Sequence, residues 1–196
     1  MNKKLIAIIV IVFVVLFFYL YFKGVYNKMV TRGEQISAQW AQVETAYQRR
    51  LDLIPNLVNT VKGYAAHEKE TLEGVIEARS KATSVNINAE NMNAESFQKF
   101  QQAQEGLSSA LQKLMVVVER YPDLKANQNF LELQAQLEGT ENRISNERRK
   151  FNETVQEYNA YIKRFPNNLF ASMFGFAPRE YFKADPAAAE APKVEF

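Results

Sequence analysis

Cysteine and histidine, which often serve as nucleophiles, bases or metal ligands, are scarce in this chain of 196 residues. It contains no cysteine and one histidine, His67, which excludes a thiol nucleophile, a disulfide framework and a cysteine-ligated zinc site. His67 and Glu68 begin a His-Glu-x-x-His zinc motif, but Thr71 stands where the second histidine would be. Ser108 and Ser109 lack a Gly-x-Ser-x-Gly context. The sequence therefore predicts no catalytic residue, no metal site and no cofactor within a single chain.

Four charged residues interrupt apolar helical stripes and are the next candidates for chemistry. A charged side chain at such a position has to be paired or has to extend to solvent. We therefore expect ion pairs between helices in preference to a ligand pocket. The four residues are Arg50, Glu68, Arg79 and Arg148.

The apolar segment near the N-terminus has the length of a membrane span. Leu5–Phe22 contains 18 residues without a charge, which cover about 27 Å as a helix. Residues 1–4 place Lys3 and Lys4 ahead of it, an arrangement that also begins a cleaved signal peptide. The segment is longer than most signal sequences, ends in bulky aromatic residues and is followed by no small-x-small cleavage site. We therefore predict a retained single-pass transmembrane anchor over residues 5–22.

Charge bears on the orientation of this anchor and excludes one class of partner. Lys3 and Lys4 on one side nearly balance Lys23, Lys28 and Arg32 on the other. We favour the N-terminus inside and the bundle outside, since a chain without cysteine tolerates an oxidising compartment. Beyond Arg32, acidic residues outnumber basic ones by three. This part of the chain therefore lacks the excess of basic residues that nucleic-acid binding requires.

Between residues 26 and 165, apolar residues recur every three or four positions, which is the spacing of one helix face. Pro55 predicts that the first helix ends or kinks sharply there, with Asp52 as the N-cap of the next. A polar, asparagine-rich stretch over residues 83–93 predicts the longest internal loop. The predicted fold class is all-α, with the transmembrane helix followed by an up-and-down antiparallel four-helix bundle of long, coiled-coil-like helices. The four helices are expected near residues 26–52, 55–82, 94–120 and 122–165.

The chain changes in character twice after the bundle. Residues 166–182 contain five aromatic residues and are too apolar for a free linker. We expect this segment either to fold back over the end of the bundle or to contact lipid or another subunit. Residues 183–196 form an alanine- and proline-rich tail that cannot build a core and is predicted to be disordered.

Several short motifs follow one another along residues 26–182. They are Arg-Arg-Leu-Asp-Leu-Ile-Pro-Asn-Leu-Val over Arg49–Val58, Val-Lys-Gly-Tyr-Ala-Ala-His-Glu over Val61–Glu68, Tyr121–Ala126, Phe151-Asn152, Tyr158-Asn159, Phe165-Pro166 and Phe174–Phe176. Together they resemble the LemA family of bacterial membrane proteins. The resemblance implies a single-pass protein of the bacterial cytoplasmic (inner) membrane with a four-helix bundle, and it implies no established activity.

These observations favour a membrane-anchored scaffold or interaction protein without catalytic activity, which associates with itself at the membrane. The expected partners are the lipid bilayer, further copies of the chain and an unidentified membrane or soluble protein. One alternative is an oligomer-dependent membrane-shaping protein. Another is an enzyme whose site is built between subunits, because oligomerisation multiplies the single histidine.

Two surfaces are predicted to make these contacts. In an up-and-down bundle the turn at Pro55 and the turn near Pro122 meet at the end distant from the membrane, where polar residues would face a partner. The residues of this patch are Arg49, Asp52, Asn56, Asp123 and Lys125. The fourth helix is predicted to outrun the others by about 25 Å, which leaves apolar residues for self-association or for the membrane interface. These residues are Tyr158, Ile162, Phe165, Phe170, Phe174 and Phe176.

Overall fold

The computed structural model describes residues 3–85, 87 and 92–183, and every regular element in this part of the chain is an α-helix. The helices are α1 (Lys3–Tyr64), α2 (Lys69–Ser84), α3 (Ala94–Val118), α4 (Pro122–Lys125), α5 (Gln128–Lys163) and α6 (Asn167–Phe174). The all-α class is confirmed, but six helices are present where an anchor and four bundle helices were expected. The predicted disordered tail lies outside the described residues from residue 184 onwards.

Helix α1 joins the predicted anchor and the first bundle helix into one element of 62 residues, about 93 Å long. It passes through Pro55, so the first of the two predicted outcomes, a helix that ends there with Asp52 as the next N-cap, is wrong. Proline cannot donate a hydrogen bond to the carbonyl four residues earlier, which is that of Leu51. Arg79 on α2 donates from its Nε to this oxygen instead, at 2.9 Å. A side chain from a neighbouring helix thus satisfies the acceptor that the proline leaves free.

Helices α1 and α5 run antiparallel over most of the bundle. Arg32 on α1 pairs with Glu157 on α5 at 2.9 Å. Arg50, 18 residues further along α1, pairs with Glu141, 16 residues earlier on α5, also at 2.9 Å. The two helices therefore keep a common register, and α5 does not outrun α1 as the sequence analysis predicted.

Capping side chains mark the starts of α3 and α5. Asn93 accepts a hydrogen bond from the Ser96 N–H at 2.8 Å and begins α3 close to its predicted start. Asn127 accepts from the Phe130 N–H at 3.1 Å and begins α5. The single helix predicted over residues 122–165 is therefore divided into α4 and α5. The helix predicted to begin at Pro55 begins at Lys69 instead, because α1 continues to Tyr64.

Buried apolar side chains form two clusters along the bundle. The first lies towards the apolar segment of α1, is rich in aromatic rings and surrounds Trp40, whose indole Nε1 donates to the Ile87 carbonyl at 3.1 Å. The second lies towards the other end of the bundle and is mainly aliphatic, with Ile54, Leu107 and Leu114 fully buried. The helices are thus held by side-chain packing along the whole bundle.

The predicted anchor lies outside both clusters. Within the described residues, α1 is the one helix long and apolar enough to cross a membrane. None of its apolar window is buried against the rest of the chain. The exposed apolar surface of this segment matches a bilayer and not a protein core.

Candidate functional site

The first candidate site is the junction between the apolar segment of α1 and the bundle, where α6 packs against α1. The ring centroid of Phe170 lies 4.6 Å from that of Phe22. Tyr26, one turn further along α1, lies 5.2 Å from Phe174 and 5.6 Å from Phe176. We call these five residues the juxtamembrane cluster. They connect the C-terminal part of the chain to the end of the anchor.

A glycine at the end of α6 makes this packing possible. Gly175 has a φ of 75°, in the left-handed region that residues with a side chain rarely adopt. The next N–H, that of Phe176, donates to the Ala171 carbonyl at 2.8 Å. The chain therefore reverses after α6, and Phe176 returns to Tyr26.

Several apolar side chains of α6 are also exposed. Leu169 and Met173 are 56% and 72% exposed, and Phe174 remains 51% exposed although its ring contacts Tyr26. Phe165, just before the helix, is 81% exposed. Four apolar side chains thus lie uncovered beside the end of the predicted anchor.

The structure divides the six residues predicted to face a second copy or the membrane. Two of them, Tyr158 and Ile162, are 2% and 3% exposed and belong to the aromatic-rich cluster. Their prediction as interface residues is wrong, because the long α1 covers the seam of α5. The four that stay partly or fully accessible are Phe165, Phe170, Phe174 and Phe176.

A second site, which the sequence analysis missed, holds the segment after α6. Residues 176–183, called here the C-terminal strap, run along α5. Asn152 donates from Nδ2 to the Phe182 carbonyl at 3.0 Å and accepts the Phe182 N–H at 2.8 Å. Asn159 makes the same two bonds with Arg179, at 2.9 and 2.8 Å. Each asparagine therefore binds both backbone groups of one strap residue.

The distance between the two asparagines matches the distance between the two strap residues that they bind. Asn152 and Asn159 are seven residues apart, which is about 10.5 Å along a helix. Arg179 and Phe182 are three residues apart, which is about 10 Å in an extended chain. Both clamps therefore form together. The sequence carries a signal of this site, because an aromatic residue followed by asparagine occurs twice, at Phe151-Asn152 and Tyr158-Asn159. In each pair the aromatic residue packs in the core and the asparagine faces the strap.

The strap is anchored by one aromatic side chain. Phe182 is 5% exposed, and its ring centroid lies 4.7 Å from that of Phe97 and 5.4 Å from that of Phe151. The guanidinium of Arg148 lies 4.7 Å from the centroid of the Phe182 ring and donates to the Lys183 carbonyl at 3.0 Å. The strap is thus part of the core and not a free linker.

Replacing Asn152 with alanine is expected to speed hydrogen exchange at the Phe182 amide, and replacing Asn159 is expected to do so at the Arg179 amide. Each substitution removes two hydrogen bonds in a partly buried site, which costs about 1 to 3 kcal/mol of local stability. The measurement is amide exchange of the full chain in detergent, with Asn142→Ala, an exposed position on α5, as control. Unchanged exchange at both strap amides would contradict the clamp assignment.

A third site surrounds Arg50, which is 2% exposed. Its Nη1 donates to Glu141 at 2.9 Å and to the Ser108 hydroxyl at 3.0 Å, and its Nη2 donates to the Gln104 side-chain oxygen at 2.6 Å. The guanidinium also lies 5.2 Å from the centroid of the Tyr47 ring. Burial raises the pKa of Tyr47, against the lowering effect of the nearby arginines. This network cross-links α1, α3 and α5.

The charged residues in the stripes have two kinds of partner. Arg50 forms the predicted ion pair between helices, with Glu141. Glu68, in the turn before α2, pairs with Arg120 in the turn after α3 at 3.0 Å. Arg79 and Arg148 instead donate to backbone carbonyls, and neither makes an ion pair in the part of the chain that the structure describes. Within the described residues, no group of three or more histidine, cysteine or acidic residues is placed to hold a metal. The polar contacts of these charged residues therefore serve to position the helices.

The polar patch predicted for the distal end is divided by the structure. Arg49 and Asp52 line a groove between α1 and α5, whereas Asp123 and Lys125 lie on α4 at the end of the bundle. Because α1 continues to residue 64, Asp52 and Asn56 lie about 18 and 12 Å before its end. The prediction of a single patch is therefore wrong, since the turn on which it depended is helical.

The distal end is formed by the turn after α1 and by the residues that lead into α4. The Tyr121 hydroxyl donates to Glu68 at 2.9 Å, and this hydrogen bond to a carboxylate raises the pKa of Tyr121. Asn127 donates from Nδ2 to the Tyr64 hydroxyl at 2.9 Å. Polar side-chain contacts thus close this end of the bundle.

These features define a class of protein, an all-helical bundle on a long N-terminal helix able to cross a membrane. The sequence profile of the LemA family matches residues 39–196, and the chain belongs to the LemA family. The resemblance seen in the motifs is thereby confirmed.

Similar proteins include magnetosome proteins and a further LemA protein. Magnetosome proteins MamQ 1 and MamQ 2 of Paramagnetospirillum magneticum are each 28% identical over 179 residues, covering 83% of this chain. The chain spans 66% of the length of these relatives, just under two thirds. Protein LemA of Metamycoplasma hominis is 22% identical over 169 residues, covering 86% of this chain and 74% of its own.

Proposed function

We propose that this LemA-family protein is a non-catalytic scaffold, anchored in a membrane by the first part of α1 and self-associating there. The observation that carries the proposal is the continuity of α1 from the apolar segment through Pro55 to Tyr64. The part of α1 beyond Phe22 covers about 63 Å. A continuous helix transmits the orientation of the anchor to the bundle, which is what a scaffold needs in order to present surfaces at a fixed height.

The continuity of α1 also supports a retained anchor over a cleaved signal peptide. Cleavage after the apolar segment would cut within a helix and would remove Phe22, the residue against which Phe170 packs. Confinement to the membrane plane supports self-association, because it raises the local concentration of the bundles so that weak contacts between neighbours suffice. The localisation proposed is the bacterial inner membrane, with the bundle outside.

The exposed apolar side of α6 favours a second candidate function, membrane shaping. A shallow apolar helix wedged into one leaflet spreads its headgroups, and binding of this kind is sensitive to curvature. Reconstitution into vesicles followed by electron microscopy distinguishes the two candidates. Membrane shaping predicts narrow tubules or small vesicles, whereas a scaffold leaves vesicle size unchanged.

The full chain in lipid nanodiscs or mild detergent is expected to give particles heavier than one 22.5 kDa chain, with the number of chains rising with protein density. The measurement is the mass of the particles after subtraction of lipid or detergent. A single chain at every density would contradict self-association. Zinc or iron bound in stoichiometric amount to the purified protein would contradict the non-catalytic assignment.

A further inference from the structure

The position of α6 along α1 fixes its depth relative to the predicted bilayer. Phe22 is the last residue of the apolar segment, and Phe170 in the first turn of α6 packs on it. Tyr26, in contact with Phe174 and Phe176, lies about 6 Å further along α1. The polar headgroup layer on each side of a bilayer is about 5 to 8 Å thick. α6 therefore lies at the level of the headgroups when the apolar segment spans the hydrocarbon core.

α6 is apolar towards the protein and along one exposed strip, and the exposed Asn168 and Ser172 form a polar strip beside it. Ala171 is 5% exposed and faces the protein. Leu169 and Met173, four residues apart and so on one helix face, are 56% and 72% exposed. A helix between protein and water normally has polar residues on its outer face. The outer face of α6 matches a helix that lies between protein and lipid.

The charged residues nearest the contact between α1 and α6 are basic. The sequence has no acidic residue in 1–33 or in 158–179. The basic residues of these two stretches that flank the junction are Lys23, Lys28, Lys163 and Arg164. Basic residues beside a membrane surface are attracted to anionic headgroups.

We propose that α6, together with Phe165, is a second and shallow membrane contact that lies in the headgroup layer of the leaflet from which α1 emerges and favours anionic lipids. This inference rests on the transmembrane placement of α1 within the proposed function. The occupant of the exposed face is lipid and not a second copy, because the contact with Phe22 places that face beside the bilayer. Two points of contact, α1 and α6, hold the bundle at a fixed tilt and rotation.

The absence of cysteine allows the depth of α6 to be measured in the full chain. Single cysteines replace Met173, Phe13 and Val116, which are 72%, 71% and 71% exposed, and each carries a nitroxide spin label. Power saturation in nanodiscs that contain anionic lipid compares access by oxygen, which concentrates in lipid, with access by a water-soluble nickel chelate. Circular dichroism checks that each variant keeps its helix content.

The label at Met173 is expected to favour oxygen, as at Phe13 but at a shallower depth, whereas the label at Val116 is expected to favour nickel. Nickel access at Met173 equal to that at Val116 would overturn the inference and leave the anchor intact. Shielding of Met173 from both reagents would also overturn it, because it would assign the face to a second copy. Nickel access at Phe13 would overturn both the transmembrane placement and this inference.

Lipid charge provides a second measurement. Replacing Lys163 and Arg164 with glutamine is expected to move the Met173 label towards water in anionic nanodiscs, because the attraction to the headgroups is lost. The same variant in uncharged nanodiscs should show no such change, and Lys113→Gln, an exposed position on α3, serves as control. The proposed lipid preference would be overturned if, in the chain that keeps Lys163 and Arg164, the Met173 label lay at the same depth in anionic and in uncharged nanodiscs.

Discussion

Replacing Phe151 with alanine is expected to lower the free energy of unfolding of the bundle by about 3 to 5 kcal/mol. Phe151 has no exposed surface, and its ring centroid lies 5.6 Å from that of Trp40 and 5.4 Å from that of Phe182. Removing the ring leaves a cavity between α1, α5 and the C-terminal strap, and the surrounding rings cannot close it without leaving their own contacts. The measurement is denaturant-induced loss of helical circular dichroism from the full chain in detergent.

Val116→Ala is the control for this substitution. Val116 is an apolar residue of a bundle helix, α3, but it is 71% exposed and lies outside the proposed membrane contact. The free energy of unfolding is expected to change by no more than about 0.5 kcal/mol. Similar losses from the two variants would show that Phe151 does not occupy the core position described above.

Replacing Arg50 with methionine is expected to cost about 1 to 3 kcal/mol of unfolding free energy. The loss arises mainly at Gln104, which is 4% exposed and whose side-chain oxygen accepts from Arg50 at 2.6 Å. Methionine fills similar volume but leaves this buried oxygen without its donor. Glu141 contributes less, because its side chain is 58% exposed and water can replace the arginine.

The neighbouring residue provides the control for Arg50. Arg49→Met makes the same chemical change at an exposed position of α1 and is expected to change stability by no more than about 0.5 kcal/mol. The double variant Arg50→Met with Gln104→Leu is expected to regain part of the loss, since neither buried polar group is then left unpaired. Equal effects of Arg49→Met and Arg50→Met would contradict the buried network.

Local patterns in the sequence were enough to predict much of this chain. The uncharged run Leu5–Phe22 predicted the apolar part of α1, and apolar spacing predicted α3 to within two residues. α2 ends and α3 begins close to the two ends of the asparagine-rich stretch, of which residues 86 and 88–91 lie outside the described residues. These features depend on residues close in sequence, because helix periodicity, capping and span length are local properties.

A tertiary contact explains why Pro55 does not end α1. The local prediction that a helix ends at Pro55 considers only the missing N–H donor of proline and the steric clash of its ring. The structure supplies Arg79 to the freed carbonyl of Leu51 from 28 residues away along the chain. No pattern around Pro55 contains this information, so the predicted turn and the patch built on it were wrong.

Tertiary structure also decided which apolar and polar residues remain available to a partner. Periodicity identified the apolar seam of α5, but it did not show that α1 extends far enough to bury Tyr158 and Ile162. The paired asparagines Asn152 and Asn159 were visible in the sequence, whereas the extended strap they bind lies 20 to 30 residues later. Side-chain spacing predicts which helix faces are apolar, because this spacing is a local property. What covers each face depends on contacts between distant segments, which the folded chain alone brings together.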